Sequence, residues 1–340
     1  MIQMTLSAPK TITMSEAPVP EPKAGEVVIK IESSGICGSD IHAYYNKHPF
    51  VSLPIITGHE FSGTISATGA GVTDFKIDDR VTVMPQVYCE DCLNCKAGRY
   101  NICSTLKVIG CQTPGASQEY LAVDAKLVLK LPDEMSFDTG AMLEPIAVGI
   151  HACKRATGGG VKDKKVVVQG AGTIGNLAAQ AAKVLGADSV IITDMIDTRL
   201  EVAKKCGIDR TINIAKQNTV QEIEKHFGKN AADVIIECVG VQSAIDQAIN
   251  IGRKGSDIIV AGVFGDHTTV NMGLVQDKEL NLIGTLMYTK EDWLDAIRFV
   301  TEKTINPEPL MSARFSLPEL GTAFQYIEDN KETALKVLVV

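Results

Sequence analysis

From residue 164 onward the chain alternates two patterns with little interruption. Short runs rich in Val and Ile occur at 166–168, 190–193, 211–214, 234–237, 258–261 and 280–283, separated by amphipathic stretches such as 174–185, 198–206 and 244–251. A short β-branched run suits a strand buried on both faces, and apolar residues every three or four positions suit a helix packed on one side. Strands alternating with helices feed a parallel sheet, because each parallel pair needs a crossover connection. Six such runs predict an α/β region built as a doubly wound parallel six-stranded sheet. Residues before 147 read differently. Their apolar runs at 27–32, 61–68, 80–84 and 120–122 are broken by Pro and Gly and predict a β-rich region. After Tyr288 the alternation stops; 290–301 and 317–328 read as helices and 334–340 as a last strand. A chain of 340 residues is too long for one simple core. We therefore expect two domains, one at 148–287 and one made of 1–147 with 288–340.

The segment Gly170-Ala171-Gly172-Thr173-Ile174-Gly175 follows the first run of the parallel region and opens a helical stretch. In this arrangement the first Gly permits a tight turn and the second lets backbone approach a pyrophosphate. The third allows close helix–strand packing, and the helix start offers amide donors. Glycines at this spacing often only make a turn, so context matters. Asp194 ends the next run, 19 residues after Gly175, where an acid accepts hydrogen bonds from ribose hydroxyls. A 2′-phosphate there would meet a like charge, which favours NAD(H) over NADP(H). Arg199 is placed to stack on adenine; in the opposing reading it pairs with a phosphate.

There are nine cysteines. An odd number fits a simple disulfide framework poorly. Residues 1–10 lack the basic head and apolar core of a secretion signal, so the thiols are expected in the reducing cytoplasm. Cys89, Cys92, Cys95 and Cys103 form a C-x2-C-x2-C-x7-C cluster, whose spacing predicts a closed tetrahedral structural Zn2+ site. A net charge of −8 argues against a nucleic-acid partner, which needs a basic footprint. No apolar run reaches the roughly 18 residues of a membrane helix, so no membrane partner is expected.

Three further stretches carry metal-capable side chains far apart in the chain: Gly35-Ile36-Cys37-Gly38-Ser39-Asp40-Ile41-His42, Gly58-His59-Glu60 and Leu143-Glu144-Pro145. Taken singly, each residue has an ordinary role as a small core thiol or a satisfied polar group. Taken together, GICGSDIH, GHEFSG, LEPIAVGIHACKRA, GAGTIG, VIITDMIDTRLEVAKKCGID and IIECVG resemble the zinc-containing medium-chain dehydrogenases. The resemblance is strongest to their sorbitol (polyol) dehydrogenase branch and runs from about residue 25 to the end.

That resemblance implies a Rossmann NAD-binding domain beside a β-rich GroES-like catalytic domain, with one catalytic and one structural zinc per chain. Cys37, His59 and Glu60 would be catalytic zinc ligands, and Glu144 a fourth ligand or the holder of a metal-bound water. Ser39 would take the substrate hydroxyl proton, His42 would pass it towards solvent, and Asp40 would brace the site. Val239, Gly262, Val263 and Thr285 would join the glycine loop around NAD(H). The implied reaction interconverts a secondary alcohol of a small polyol-like substrate and its ketone. Tyr44, Ser117 and Met287 are expected to line the substrate pocket. Ser117 stands where the branch often has Phe, and Met287 where it often has Arg. Both departures leave open a polyol other than sorbitol, a sugar acid or an inositol-like ring; an L-threonine or butanediol dehydrogenase shares nearly all these motifs and is the competing reading. The resemblance also implies a homodimer or homotetramer joined near residues 280–285.

Overall fold

The computed structural model describes residues 1–229 and 231–340. The chain divides into two compact units, Met1–Glu144 with Met311–Val340, and Pro145–Leu310. All six Val/Ile runs of the second unit form strands: β1 Lys165–Gln169, β2 Ser189–Asp194, β3 Thr211–Asn213, β4 Ala232–Glu237, β5 Gly252–Val260 and β6 Asn281–Gly284. They pair in parallel in the order β3-β2-β1-β4-β5-β6. The order reverses between β1 and β4, and ligands of such sheets bind outside the strand C-termini at this reversal. Val167, Ile191, Ile235 and Ile258 sit in one core with Ile245, Ala248 and Ile249 of the helix Gln242–Ile251. β5 begins at Gly252, six residues before the apolar run expected at 258. Its early residues Arg253 and Lys254 are polar, yet a register shift between Ala232 and Val234 lets Gly252 pair with Ala232.

The second unit also extends past the boundary read at residue 287. The helix Lys290–Thr301 belongs to it, because Asp292 on this helix is paired with His151 Nδ1 at 2.7 Å and with Lys154 Nζ at 2.8 Å. Asp292 is buried. Although burial works against its charge, hydrogen bonds from His151 and Lys154 hold its carboxyl well below the usual range. The neighbouring Trp293 packs edge-on against Tyr288, ring centroids 5.1 Å apart, and both are fully buried.

The first unit is built on a seven-stranded sheet. Its main path runs Met311–Phe315, Lys336–Val339, Glu26–Ile36, Glu60–Thr68, Arg80–Val83 and Val128–Lys130, with Tyr120–Asp124 also pairing with Glu26–Ile36. Val27, Ile29, Phe61, Ile65, Val81, Leu121 and Val123 fill one core. A second core gathers Met4, Leu6, Ile36, Tyr44, Phe324 and Val337. The strand Met311–Phe315 was not anticipated; its half-exposed alternation, Met-Ser-Ala-Arg-Phe, carries a weak apolar signal. Among the described residues, no helix is long and apolar enough to cross a membrane.

Candidate active site

In the first unit, strand pairing assembles what the sequence scatters. Glu26–Ile36 runs antiparallel to Glu60–Thr68 with Gly35 opposite Glu60, which brings Glu60 beside the chain just before Cys37. Cys37 then caps the short helix Gly38–Tyr44, and Asp40 of that helix accepts the Cys37 N–H at 2.8 Å. One donor atom each from Cys37, His59 and Glu60 lies within 4.8 Å of the others. Glu144 lies outside that set.

His59 and Glu60 are buried, at 6% and 1% exposure. His59 Nδ1 has no hydrogen-bond partner among the described residues; Asp40 Oδ1 stands 3.7 Å away, beyond hydrogen-bonding distance. Burial opposes charge on His59, yet Asp40 and Cys37 hold its pKa well above the ordinary value. A buried imidazole, a thiol and a buried carboxylate that each offer one donor atom within this distance form a donor set that fits a zinc ion.

Sequence reasoning missed the cation that faces Glu60. Lys336, on the last strand, is buried and donates to Glu60 Oε1 at 2.7 Å, to Glu60 Oε2, and to the Ile36 carbonyl at 3.2 Å. Burial lowers the Lys336 pKa, but the charges of Glu60 and Cys37, the hydrogen bond to Glu60 and the Glu144 charge together outweigh it, and the net shift is upward. Gly35 makes room for the pair, since a Cβ there would collide with the Glu60 carboxylate and meet Lys336 Cδ at 3.2 Å.

Ser39 and His42 are three positions apart on the helix Gly38–Tyr44, so they share a face. Ser39 Oγ is buried and unpartnered among the described residues, and His42 is half-buried. The expected pocket wall is corrected at two positions. Tyr44 points into the core, its ring stacked on Phe324 at 4.8 Å. Ser117 is buried with its hydroxyl paired to Thr57 Oγ1 at 3.1 Å, because Gly110 and Gly115 pack their loop directly on Gly58. Both side chains serve packing inside the first unit. Met287, in the second unit, is half-buried with φ +49°, a left-handed conformation that is uncommon for a residue with a Cβ.

The four-cysteine lobe closes on itself. Cys89, Cys92, Cys95 and Cys103 offer sulfurs all within 4.8 Å of one another, with Cys89–Cys103 at 3.5 Å and Cys92–Cys103 at 4.0 Å. Backbone N–H groups point at them, Cys92 N at Cys89 Sγ (3.4 Å) and Cys95 N at Cys92 Sγ (3.5 Å). Hydrogen bonds from the Ser104 and Cys95 backbone bring the Cys92 thiol down to about 5. Cys95 is pushed up to about 12 by burial and by its sulfur neighbours. Thiolates crowded this closely need a cation, and four sulfurs leave a tetrahedral ion no open position.

In the second unit, Gly170 turns with φ +90° after β1, and Gly172 caps the helix Thr173–Val184 without a side-chain cap. Gly172, Thr173 and Ile174 are partly exposed, while Gly175 is buried against the Gly170 carbonyl. Asp194 ends β2, and Arg199 lies half-buried on the following helix Asp197–Lys205. Val239 and Val263 stand exposed on the loops after β4 and β5. Gly262 lets those loops meet, donating its N–H to the Glu237 carbonyl at 2.8 Å. The Thr285 N–H reaches the Val260 carbonyl at 3.2 Å. Glu237, a second residue missed from sequence, is fully buried; Oε1 accepts the N–H groups of Val239 (2.7 Å) and Gly240 (2.8 Å). Burial raises its pKa against those hydrogen bonds. Its signal was available, since an acid stands alone at the end of an apolar run.

Residues 23–133 match the alcohol dehydrogenase GroES-like domain family, and residues 173–302 match the zinc-binding dehydrogenase family. Sorbitol dehydrogenase of Homo sapiens is 34% identical over 99% of this chain and 95% of its own length. The chain belongs to the zinc-dependent medium-chain alcohol dehydrogenases. This dehydrogenase is of the sorbitol dehydrogenase-like kind, with a Rossmann unit and a GroES-like unit, and is an oxidoreductase that uses zinc and a nicotinamide dinucleotide. Galactitol-1-phosphate dehydrogenase from Escherichia coli superposes on it with a TM-score of 0.91 at 33% identity, covering the whole of both chains. An alcohol dehydrogenase from E. coli CFT073, complexed with the cofactor NADH, superposes with a TM-score of 0.92 at 31% identity, over 100% of this dehydrogenase and 99% of that chain.

Proposed function

We propose that the enzyme interconverts a secondary alcohol of a polyol-like substrate and its ketone, with Cys37, His59 and Glu60 holding the catalytic zinc and Glu144 supporting it. The observation that carries this reading is the convergence of three different donor types, one atom each from Cys37, His59 and Glu60, within 4.8 Å of one another, with His59 and Glu60 buried. When bound, zinc supplies a Lewis acid that lets an alcohol lose its proton near neutral pH, and the dinucleotide accepts the hydride. Ser39 Oγ, buried and without a competing partner, accepts that proton, and His42 on the same helix face passes it towards solvent. Cys89, Cys92, Cys95 and Cys103 hold the structural zinc and take no part in chemistry.

The glycine loop Gly170–Gly175, Arg199, Val239, Gly262, Val263 and Thr285 hold the dinucleotide. We favour NAD over NADP because the Asp194 carboxylate at the end of β2 would oppose a 2′-phosphate. A reducing cytoplasm suits the exposed thiolate lobe. Among the described residues β6 pairs on one side only, with β5, so its other edge supports assembly of a homodimer or homotetramer.

The test measures NADH formation against polyols, hexonates, threonine and butanediol, together with zinc content. Cys37→Ser is expected to drop zinc from two to one per chain with loss of turnover, and Ser39→Ala to lower kcat by about 10²–10⁴-fold with zinc retained. Full turnover in Cys37→Ser would defeat the assignment.

A further inference from the structure

The glycine loop is shaped by two side chains as well as by its glycines. Gly170 donates its N–H to the Thr193 carbonyl at 2.8 Å, and Gly175 admits no Cβ because it would collide with the Gly170 carbonyl. Between them Ala171 is fully buried, and its two backbone groups are gripped from opposite sides. Its N–H donates to Asp194 Oδ2 at 2.7 Å. Its carbonyl accepts from Asn176 Nδ2 at 2.7 Å, and the same amide nitrogen reaches the Gly172 carbonyl at 3.0 Å. The second carboxylate oxygen, Asp194 Oδ1, accepts the Ile196 N–H at 2.9 Å. Asp194 is 8% exposed and Asn176 is fully buried.

We propose that Asp194 and Asn176 are positioning residues that together lock the phosphate-facing loop, so that the acid facing the ribose also holds the loop that faces the pyrophosphate. The inference rests on the glycine loop being the dinucleotide site; it does not depend on which dinucleotide is preferred.

The chemistry of each side chain makes the lock specific. A carboxylate has two acceptor oxygens, and here each serves a different backbone N–H. Asparagine at 194 keeps one acceptor and turns an NH2 group towards the other donor. Serine at 194 makes room for a 2′-phosphate but leaves the buried Ala171 N–H without an acceptor, a cost of desolvation that falls on the loop. At 176 one amide nitrogen carries two hydrogens, one for each carbonyl. Alanine there strands the Ala171 carbonyl. In either case the loop loses the shape that presents the helix start at Gly172–Ile174 to phosphate oxygens. Changing the one acid at the end of β2 is therefore expected to damage binding of both dinucleotides and not to convert one preference into the other.

The experiment uses the intact zinc-loaded protein and measures NADH and NADPH affinity by fluorescence titration, ADP affinity by calorimetry, and hydrogen exchange of peptides covering Ala171. Asp194→Ser is expected to weaken NADH at least tenfold without raising NADPH affinity to the wild-type NADH level. Asn176→Ala is expected to weaken ADP about tenfold. Both variants should exchange the Ala171 amide faster than wild type. Asp194→Asn, close to isosteric, covers the case in which the smaller variants fail to fold, and it too should lose about tenfold for NADH. The proposal is overturned if Asp194→Ser binds NADPH as tightly as wild type binds NADH. It is equally overturned if Asn176→Ala binds ADP within twofold of wild type, or if Asp194→Asn leaves NADH affinity and Ala171 exchange unchanged. Wild-type preference for NADPH would refute the NAD assignment alone and leave the lock standing.

Discussion

Replacing Lys336 with methionine keeps the length and the apolar stem of the side chain and removes its charge. In metal-free protein the Glu60 carboxylate then stays in place, 1% exposed, with its ammonium partner gone. Removing one member of a buried ion pair costs about 3–5 kcal/mol, because the remaining charge is stranded in a medium that solvates it poorly. For a unit of this size, about 2–4 °C of melting temperature accompanies each kcal/mol, which gives a fall of about 6–20 °C. Zinc supplies positive charge to the same carboxylate, so added zinc should raise the melting temperature of Lys336→Met more than that of wild type. The double variant Lys336→Met/Glu60→Gln removes both charges and should recover much of the apo-protein loss. The assay is a thermal melt of chelator-treated and zinc-reloaded protein. If metal-free Lys336→Met melts within 2 °C of wild type, the claim that this pair neutralises the site is wrong.

Further outcomes follow from the same geometry. Gly35→Ala thrusts a Cβ into the Glu60 carboxylate, so the purified variant should hold about one zinc per chain, in the four-cysteine lobe, as read by metal analysis. A strong chelator should release zinc in two phases, the open site first, because one thiolate with carboxylates holds zinc less tenaciously than four thiolates; activity that persisted after the first phase would contradict the assignment. Asp292 is a carboxylate whose folded pKa is depressed, so its stabilisation is present above the ordinary carboxylate range and fades as pH falls below it towards the folded value. Asp292→Asn should therefore lose about 2–3 kcal/mol near pH 7 and show a smaller loss on acidification than wild type, measured by urea melts between pH 3 and pH 7.

The parallel sheet was legible because its central strands β1, β2 and β4 are almost wholly buried and so read as Val/Ile-rich runs. The two candidate ion sites were legible to different degrees. Cys89 to Cys103 are near neighbours in the chain, and their spacing alone announces the cluster. Cys37, His59 and Glu60 meet only through the pairing of Gly35 with Glu60, which no local pattern reveals; the resemblance of GICGSDIH and GHEFSG to a known family supplied that step. Lys336 is 276 positions from Glu60 and stands in an apolar strand, so nothing nearby marks it as a counter-charge. Tyr44 misled because an aromatic next to a reactive helix looks like a wall, whereas the turn of the helix aims it at Phe324. Asn176 gives no sign of its task, since its two acceptors lie in the loop that its own helix follows.

The pairing of Val337 with Ile36 has a consequence for synthesis. While the ribosome is still making the Rossmann unit, the strand Glu26–Ile36 is paired on only one edge along that stretch, with Glu60–Thr68, and the acid at position 60 has no ammonium beside it. The nascent GroES-like half must therefore wait, incomplete and open at one border, until the last strand is released to close it.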